Sequence, residues 1–210
     1  AVAMIDPAAK TRVIDASTAF RVAEGWAYGM AEISAHHRKQ IASAKRVANP
    51  GCYPQGLIAL VRPLIAAGIM SPDYPVTYNA VSGYSGGGKK MIEQYEAGGD
   101  ARLQSPRPYA LNLAHKHLPE MVAHTGLAQA PVFMPVVSSF YKGLAVSVPL
   151  HTSQLKPGTT GADVPSYSCR QVCVAFHSPC SLAAIILSLI FSTARYHCGI
   201  ARYMSGVSVR

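Results

Sequence analysis

Acidic side chains are scarce in this sequence of 210 residues, which carries 10 Asp and Glu against 19 Lys and Arg and has a net charge of +9. No run of lysine and arginine is interleaved with aromatic residues, which argues against a nucleic-acid-binding surface. A basic balance also suits a protein that binds anionic small molecules. An anionic substrate and cofactor would account for the charge equally well, and we expect no nucleic-acid partner.

Long hydrophobic runs are missing as well. The apolar segment 181–191 (SLAAIILSLIF) is shorter than the roughly 20 residues that a membrane helix needs, and Pro179 interrupts its upstream extension. The N-terminus shows no basic region followed by an apolar core and a small-residue cleavage site. The five cysteines are an odd number, which does not suit a secreted disulfide framework. We expect a cytoplasmic protein with no membrane partner.

The chain also lacks GxGxxG after a first strand, the fingerprint that seats a cofactor pyrophosphate. It does contain a glycine loop, SGYSGGGKK at 82–90, between a predicted strand at 75–81 and a predicted helix at 91–96. Such a loop lets backbone N–H groups approach an anion or a cofactor ring. Gly83 to Lys89 fits the P-loop pattern, but Lys90 stands where Ser or Thr should supply a hydroxyl for magnesium. A P-loop protein and a plain tight turn stay open as weaker alternatives.

Cys52 lies beside a predicted helix start. Pro50 and Gly51 form a turn, and Pro54 opens a segment whose apolar residues recur with helical spacing. Unpaired backbone N–H groups and the positive end of the helix dipole favour a thiolate there, so Cys52 is a candidate nucleophile. A buried structural thiol is the alternative. Pro63 predicts a kink or an early end of this helix.

Two further segments carry candidate site residues. Ser17 and Arg21 follow a predicted strand at 12–16, and ligands collect at the carboxyl ends of strands in open α/β sheets. The guanidinium of Arg21 can grip a phosphoryl group with two parallel hydrogen bonds. In the segment HKHLPE, His117 precedes a helix and Glu120 lies in its first turn. A carboxylate can orient an imidazole, whose ordinary pKa suits proton transfer.

Metal sites are weaker hypotheses. His115 and His117 could both bind zinc from a strand, but no third ligand of suitable type stands near them in the sequence. A zinc site in the tail is conceivable at Cys169, Cys173, His177 and Cys180, although its surroundings are apolar. We predict no metal.

The remaining pattern predicts an α/β fold. A polar segment at 32–45 predicts a helix, and 109–113 a short strand. The runs 131–137 and 143–150 are strongly β-forming, and they predict a hairpin or neighbouring strands in a mixed sheet.

Six motifs in the same order resemble the N-acetyl-gamma-glutamyl-phosphate reductases, the arginine-pathway members of the semialdehyde dehydrogenase group, in their shorter form. They are DASTAFR (15–21), GWAYG (25–29), NPGCYPQG (49–56), SGYSGGGK (82–89), HKHLPEM (115–121) and LKPGTTGAD (155–163). The resemblance implies an α+β catalytic domain with a mixed sheet at 51–162, through which the chain forms a homo-oligomer. It also implies that 1–50 is the remnant of a Rossmann-type nucleotide-binding domain. The tail at 163–210 does not continue the resemblance, and we expect it to be unrelated sequence.

The resemblance also implies roles for individual residues. Cys52 would be the nucleophile, His117 the acid/base and Glu120 its partner. The substrate, a small acyl phosphate, would be held by Arg21, Asn49 and Ser17. The nicotinamide of NADP(H) would face the glycine loop at Ser82, Gly83, Ser85, Gly86 and Gly87. The expected activity is NADPH-dependent reduction through a cysteine thioester, and an inactive truncated remnant is the alternative.

Overall fold

The protein is described by a computed structural model over residues 11–160, 163–164 and 184–191. These residues form an α/β fold that contains a three-stranded parallel sheet and a five-stranded mixed sheet. The predicted fold class is confirmed.

The parallel sheet comes from the first fifty residues. Its strands are β1 (Val13–Asp15), β2 (Ala27–Tyr28) and β3 (Arg46–Ala48), and β3 lies in the middle, parallel to both neighbours. Helix α1 (Ala35–Ser43) leads from β2 to β3 within the segment predicted as helix. The side chain of Ser34 caps α1 by accepting a hydrogen bond from the backbone N–H of His37. The predicted strand at 12–16 is confirmed.

Helix α2 (Cys52–Ala66) is the central element of the core. Residues 56–61 are all buried, so this part of the helix is enclosed on every side. It packs against the mixed sheet and against helix α4 (Leu118–Thr125), and Leu57, Leu60 and Leu64 are fully buried. Each such leucine contributes roughly 2 kcal/mol through the apolar area removed from water. Pro63 lies inside α2, which continues to Ala66, so an early end at this proline is wrong and the alternative of a kink stays a prediction.

The mixed sheet has the order β5-β6-β4-β7-β8. Its strands are β4 (Thr77–Gly83), β5 (Arg107–Pro108), β6 (Val132–Ser138), β7 (Leu144–His151) and β8 (Ala184–Phe191). Strand β4 lies between β6 and β7, parallel to the first and antiparallel to the second. The mixed sheet is confirmed, but the prediction that β6 and β7 are adjacent is wrong. Their connection passes over the end of β4, where the backbone N–H of Gly83 donates to the carbonyl of Gly143.

The strand predicted at 109–113 is also wrong. Ala110 and Leu113 have φ angles of 52° and 55°, in the left-handed region, so the chain turns there. Leu111 and Leu113 are both exposed. The helix predicted from the proline of HKHLPE is confirmed as α4, and α3 (Lys89–Glu96) follows the glycine loop.

Most of the tail lies outside the described residues, including the four residues of the conceivable zinc site. Within the tail, β8 pairs with β7 at the edge of the mixed sheet, and Val164 is buried in the core. The origin of residues 163–210 stays a prediction.

Candidate active site

A cavity of about 350 Å³ opens where the carboxyl end of β4 faces the start of α2. It brings together seven of the predicted site residues, which are Arg21, Cys52, Ser82, Gly83, Gly86, Gly87 and His117. These residues come from separate parts of the sequence, and the fold brings them together around one cavity.

Four predicted residues do not line this cavity: Ser17, Asn49, Ser85 and Glu120. The hydroxyl of Ser17 donates to the carboxylate of Asp15 at 2.5 Å and caps the local turn. The backbone carbonyl of Asn49 accepts from Nε of Arg21 at 2.9 Å. Asn49 therefore supports the arginine through its backbone, while Ser17 is exposed and bonded elsewhere.

Cys52 is the first residue of α2 and faces the cavity as an exposed residue. The surrounding protein removes water from its thiol and raises the pKa, and the backbone N–H groups of Tyr53 and Cys52 offset this only in part. The helix start therefore acts in the predicted direction, but desolvation is the larger effect. The pKa of Cys52 is thus shifted in the direction opposite to the one predicted from the helix start.

Glu120 has different partners from those predicted. Its Oε1 accepts from Nη1 of Arg21 at 2.7 Å, and its Oε2 accepts from the hydroxyl of Tyr28 at 2.9 Å and from the backbone N–H of Gly51 at 3.0 Å. Glu120 and Arg21 are 2% and 8% exposed, so their ion pair is buried. The pairing of Glu120 with His117 is corrected to a pairing with Arg21, because the carboxylate compensates the buried guanidinium.

Glycine is required at position 51 because three side chains approach its backbone closely. Its φ of −69° suits any residue, but a Cβ there would lie 2.6 Å from Oε1 of Glu120, 2.8 Å from Nη1 of Arg21 and 2.9 Å from Nε2 of His117. Polar atoms of these three side chains thus converge on the residue before Cys52.

His117 is buried and its pKa is lowered to about 3, chiefly by desolvation and then by the nearby His115 and Arg21. Its Nδ1 is buried with no hydrogen-bond partner among the described residues. The predicted pKa near working pH is therefore wrong, and His117 is neutral at neutral pH. Its backbone N–H donates to Nδ1 of His115 at 3.1 Å, which leaves the ring proton of neutral His115 on Nε2.

The aromatic side of the cavity was not predicted. Tyr53 and Tyr109 line it and share a hydroxyl–hydroxyl hydrogen bond of 3.0 Å. The rings of His115 and Phe133 meet that of Tyr53 edge to face. The position of Tyr53 directly after Cys52 was a usable signal, whereas Tyr109 lay in a segment assigned to a strand.

The glycine loop closes the opposite side. Its residues Tyr84–Gly87 form one 3₁₀ turn between β4 and α3. A Cβ on Gly83 would lie 2.8 Å from three backbone atoms of residues 140–142, so this glycine permits close packing as well as lining the cavity. The exposed Lys89 lies 3.7 Å from Glu93 in its own helix. This position does not turn the lysine over the loop as a P-loop requires.

Two further findings concern metal sites and membrane-spanning helices. Within 11–160, 163–164 and 184–191, no group of three or more His, Cys, Asp or Glu side chains could hold a metal ion. None of the helices in these ranges is both long and apolar enough to cross a bilayer.

Residues 52–168 match the family model described as semialdehyde dehydrogenase, dimerisation domain. The chain belongs to the semialdehyde dehydrogenase family. Similar curated proteins include two N-acetyl-gamma-glutamyl-phosphate reductases. The protein of Chelativorans sp. is 55% identical over 147 residues, covering 69% of this chain and 46% of the relative. The protein of Rhizobium etli is 55% identical over 162 residues, covering 76% and 52%. The chain thus spans about half the length of these relatives.

Solved semialdehyde dehydrogenase structures share the fold of this family member. Aspartate semialdehyde dehydrogenase II from Vibrio cholerae superposes with a TM-score of 0.59 at 16% identity, covering 85% of this chain and 66% of that one. A probable aspartate-semialdehyde dehydrogenase from Pseudomonas aeruginosa gives 0.56 at 13% identity, with the same coverage. At these identities the similarity concerns the fold alone.

Proposed function

We propose that this chain carries the catalytic site of an N-acetyl-gamma-glutamyl-phosphate reductase, which reduces its acyl phosphate to N-acetylglutamate 5-semialdehyde in arginine biosynthesis. One observation carries the proposal: Cys52, His117 and Arg21 share a single cavity with the glycine loop. The names of the curated relatives agree with this substrate.

Cys52 is the proposed nucleophile. Its sulfur attacks the acyl carbon, a C–S bond forms, the bond to the phosphate oxygen breaks, and phosphate leaves with the electron pair. Arg21 uses three of its five N–H groups on Glu120, Asn49 and Ala16, which leaves two for the phosphoryl oxygens. Covalent capture as a thioester divides one difficult displacement into two easier steps. Binding of a dianionic substrate near the thiol would oppose its ionisation, so removal of the thiol proton must accompany attack.

His117 is the proposed proton acceptor. An imidazole kept neutral by burial can take the proton of the Cys52 thiol during attack, and its unpartnered Nδ1 has no competing hydrogen bond in the described chain. When hydride adds to the thioester carbon, the imidazolium returns this proton to the carbonyl oxygen and gives a thiohemiacetal. The neutral ring then takes the proton back from the hydroxyl as the C–S bond breaks, and passes it to the sulfur that leaves. The aldehyde is then released and Cys52 is regenerated.

The glycine loop is the proposed face for the nicotinamide of NADP(H). Gly86 and Gly87 are exposed at the cavity wall without side chains, so a flat ring can lie close to their backbone, with Ser82 and Ser85 as polar neighbours. NADPH, when bound, supplies the hydride to the thioester carbon. These residues fit the nicotinamide end only, since no GxGxxG motif is present to seat the pyrophosphate.

The activity is tested in the reverse direction, with N-acetylglutamate 5-semialdehyde, phosphate and NADP⁺, by following the formation of NADPH. Cys52→Ser should abolish phosphate-dependent turnover, while the matched control Cys198→Ser should leave it unchanged. Turnover that survives in Cys52→Ser would remove Cys52 from the mechanism.

An inactive remnant is the second candidate, because the pyrophosphate fingerprint is missing. Labelling of Cys52 that an acyl-phosphate analogue blocks would support either candidate. Titration with NADPH then separates them, since the reductase must bind the cofactor and the remnant does not. ATP binding that depends on Lys89 would support the P-loop alternative instead.

Homo-oligomer formation through the mixed sheet is part of the proposal. The face of the sheet turned away from α2 exposes Val81, Val132 and Met134 by 39%, 47% and 44%. An apolar patch of this kind is typical of a protein interface. Met134→Glu should reduce the mass measured by light scattering, whereas Leu111→Glu, a change at an exposed leucine outside the sheet, should not. Equal effects of the two changes would argue against this interface.

The division into a nucleotide-binding remnant at 1–50, a catalytic domain at 51–162 and an unrelated tail belongs to the same proposal. The family match from 52 to 168 agrees with the start of the second unit and extends six residues past its end. A cytoplasmic location is likewise proposed, since the mechanism needs a reduced Cys52.

A further inference from the structure

Tyr28 is buried beside the catalytic cavity but is not among the residues that line it. Its hydroxyl donates to Oε2 of Glu120 at 2.9 Å, and the same oxygen accepts from the backbone N–H of Gly51 at 3.0 Å. One carboxylate oxygen therefore connects Tyr28 to the residue that precedes Cys52. The other oxygen is bonded to Arg21 at 2.7 Å.

The ring of Tyr28 is held from two sides. It stacks on His124 with 3.7 Å between the ring centroids, and Nε2 of His124 is 2.9 Å from the backbone carbonyl of Arg21. The backbone carbonyl of Tyr28 lies 2.6 Å from Nε2 of His37 in α1. Tyr28 belongs to strand β2, so its hydrogen bond links the parallel sheet directly to the carboxylate of Glu120 on α4.

The chemistry of Glu120 makes this hydroxyl important. A buried carboxylate with two oxygens needs several donors, and each hydrogen bond to a charged acceptor is stronger than one between neutral groups. With Tyr28 in place, Oε2 points at the Gly51 N–H while Oε1 holds the guanidinium of Arg21. Without the hydroxyl, Oε2 loses one of its two donors and is free to rotate away from Gly51.

We propose that Tyr28 is a positioning residue, which acts through Glu120 to fix both the turn before Cys52 and the guanidinium of Arg21. This inference rests on the proposed function for its effect on turnover. The position of the turn itself does not depend on that function. Neither Tyr28 nor Glu120 exchanges a proton with the substrate.

The test compares Tyr28→Phe with Tyr74→Phe in the full chain. Both changes delete one buried hydroxyl that takes part in one hydrogen bond, since the hydroxyl of Tyr74 accepts from the backbone N–H of His151 at 2.7 Å, away from the cavity lining. Tyr28→Phe also keeps the ring that stacks on His124. A difference between the two variants therefore comes from the particular hydrogen bond that Tyr28 makes to Glu120, and not from the loss of a buried hydroxyl in general.

Amide hydrogen exchange measured by NMR is the readout that does not need activity. Tyr28→Phe should speed exchange of the Gly51 amide about tenfold, the equivalent of one weakened hydrogen bond to a charged group. The amides of Leu57 and Leu60 inside α2 should keep their wild-type rates. Tyr74→Phe should leave the Gly51 amide unchanged. Equal acceleration throughout α2, or no change at Gly51, would overturn the proposal.

Turnover supplies the second readout. Tyr28→Phe should lower kcat about tenfold with little change in KM for the aldehyde, and Tyr28→Phe combined with Glu120→Gln should be no slower than Glu120→Gln alone. If the losses in kcat caused by the two single changes instead multiply in the double variant, the coupling between Tyr28 and Glu120 would be overturned. If the wild-type chain shows no turnover, the proposed function fails, and the exchange rates at Gly51 still decide the role of Tyr28.

Discussion

Gly51→Ala is the most direct perturbation of the site. Because φ at this position is −69°, alanine meets no backbone strain, and its whole effect comes from the added methyl group. That group would lie 2.6 to 2.9 Å from polar atoms of Glu120, Arg21 and His117, all of which are buried. Ordinary contacts of a Cβ begin at 3.4 Å, so the three side chains must move apart.

The magnitude follows from the groups that move. Overpacking of a filled interior costs about 1 to 3 kcal/mol, and loss of one partner from a buried ion pair costs about 3 to 5 kcal/mol. Since the Arg21–Glu120 pair is displaced rather than deleted, we expect about 3 kcal/mol of lost stability. For a chain of this size that corresponds to a fall in Tm of about 6 to 12 °C.

Thermal unfolding followed by circular dichroism measures the effect, and turnover should fall with it because all three displaced groups adjoin Cys52. Gly98→Ala is the matched control. Its φ of 65° imposes strain of about 1 kcal/mol, but a Cβ there meets nothing within 4 Å. A Gly51→Ala protein that unfolds at the wild-type temperature with wild-type turnover would refute the convergence of the three side chains.

Three further predictions follow from the same geometry. Stability should fall as the pH drops from 6.5 towards 3, because the unfolded chain protonates His117 before the folded chain does. Urea unfolding at several pH values should show this slope, and His117→Asn should reduce it, leaving the part that comes from the lowered pKa values of His115 and His124. Gly83→Ala should lower Tm, since its Cβ would meet backbone atoms of 140–142 that cannot rotate away, and an unchanged Tm would contradict that contact. Alkylation of Cys52, followed by peptide mass spectrometry, should be slow at neutral pH and rise in alkaline solution, because the surrounding protein removes water from the exposed residue's thiol and raises its pKa; a plateau already reached at neutral pH would contradict it.

Local features were predictable where neighbouring residues decide them. The turn at Pro50 and Gly51 and the helix that follows are set by proline and glycine geometry and by helical spacing, so the place of Cys52 could be inferred. The start of α4 was predictable for the same reason. The β-forming runs at 131–137 and 143–150 predicted the strands β6 and β7 correctly. Their pairing was not predictable, because β4 lies between them in the sheet and no local sequence pattern indicates its position.

The electrostatic character of the site was not predictable from motifs. The proximity of His117 and Glu120 in the sequence favoured a pair, yet Glu120 bonds to Arg21, which is 99 residues away. The pKa values of Cys52 and His117 move in the direction that desolvation dictates, and desolvation depends on which parts of the folded chain surround each group.

The sequence by itself determined the family resemblance, the helix start beside Cys52 and the glycine loop, because each depends on residues that are contiguous in the chain. Only the tertiary structure decided which carboxylate meets which guanidinium, why position 51 must be glycine, and that a tyrosine from the parallel sheet shares a carboxylate oxygen with the turn before the cysteine. Those contacts join segments separated by up to a hundred residues. Their geometry is set by the packing of α2 and α4 against the two sheets, which the order of residues alone does not reveal.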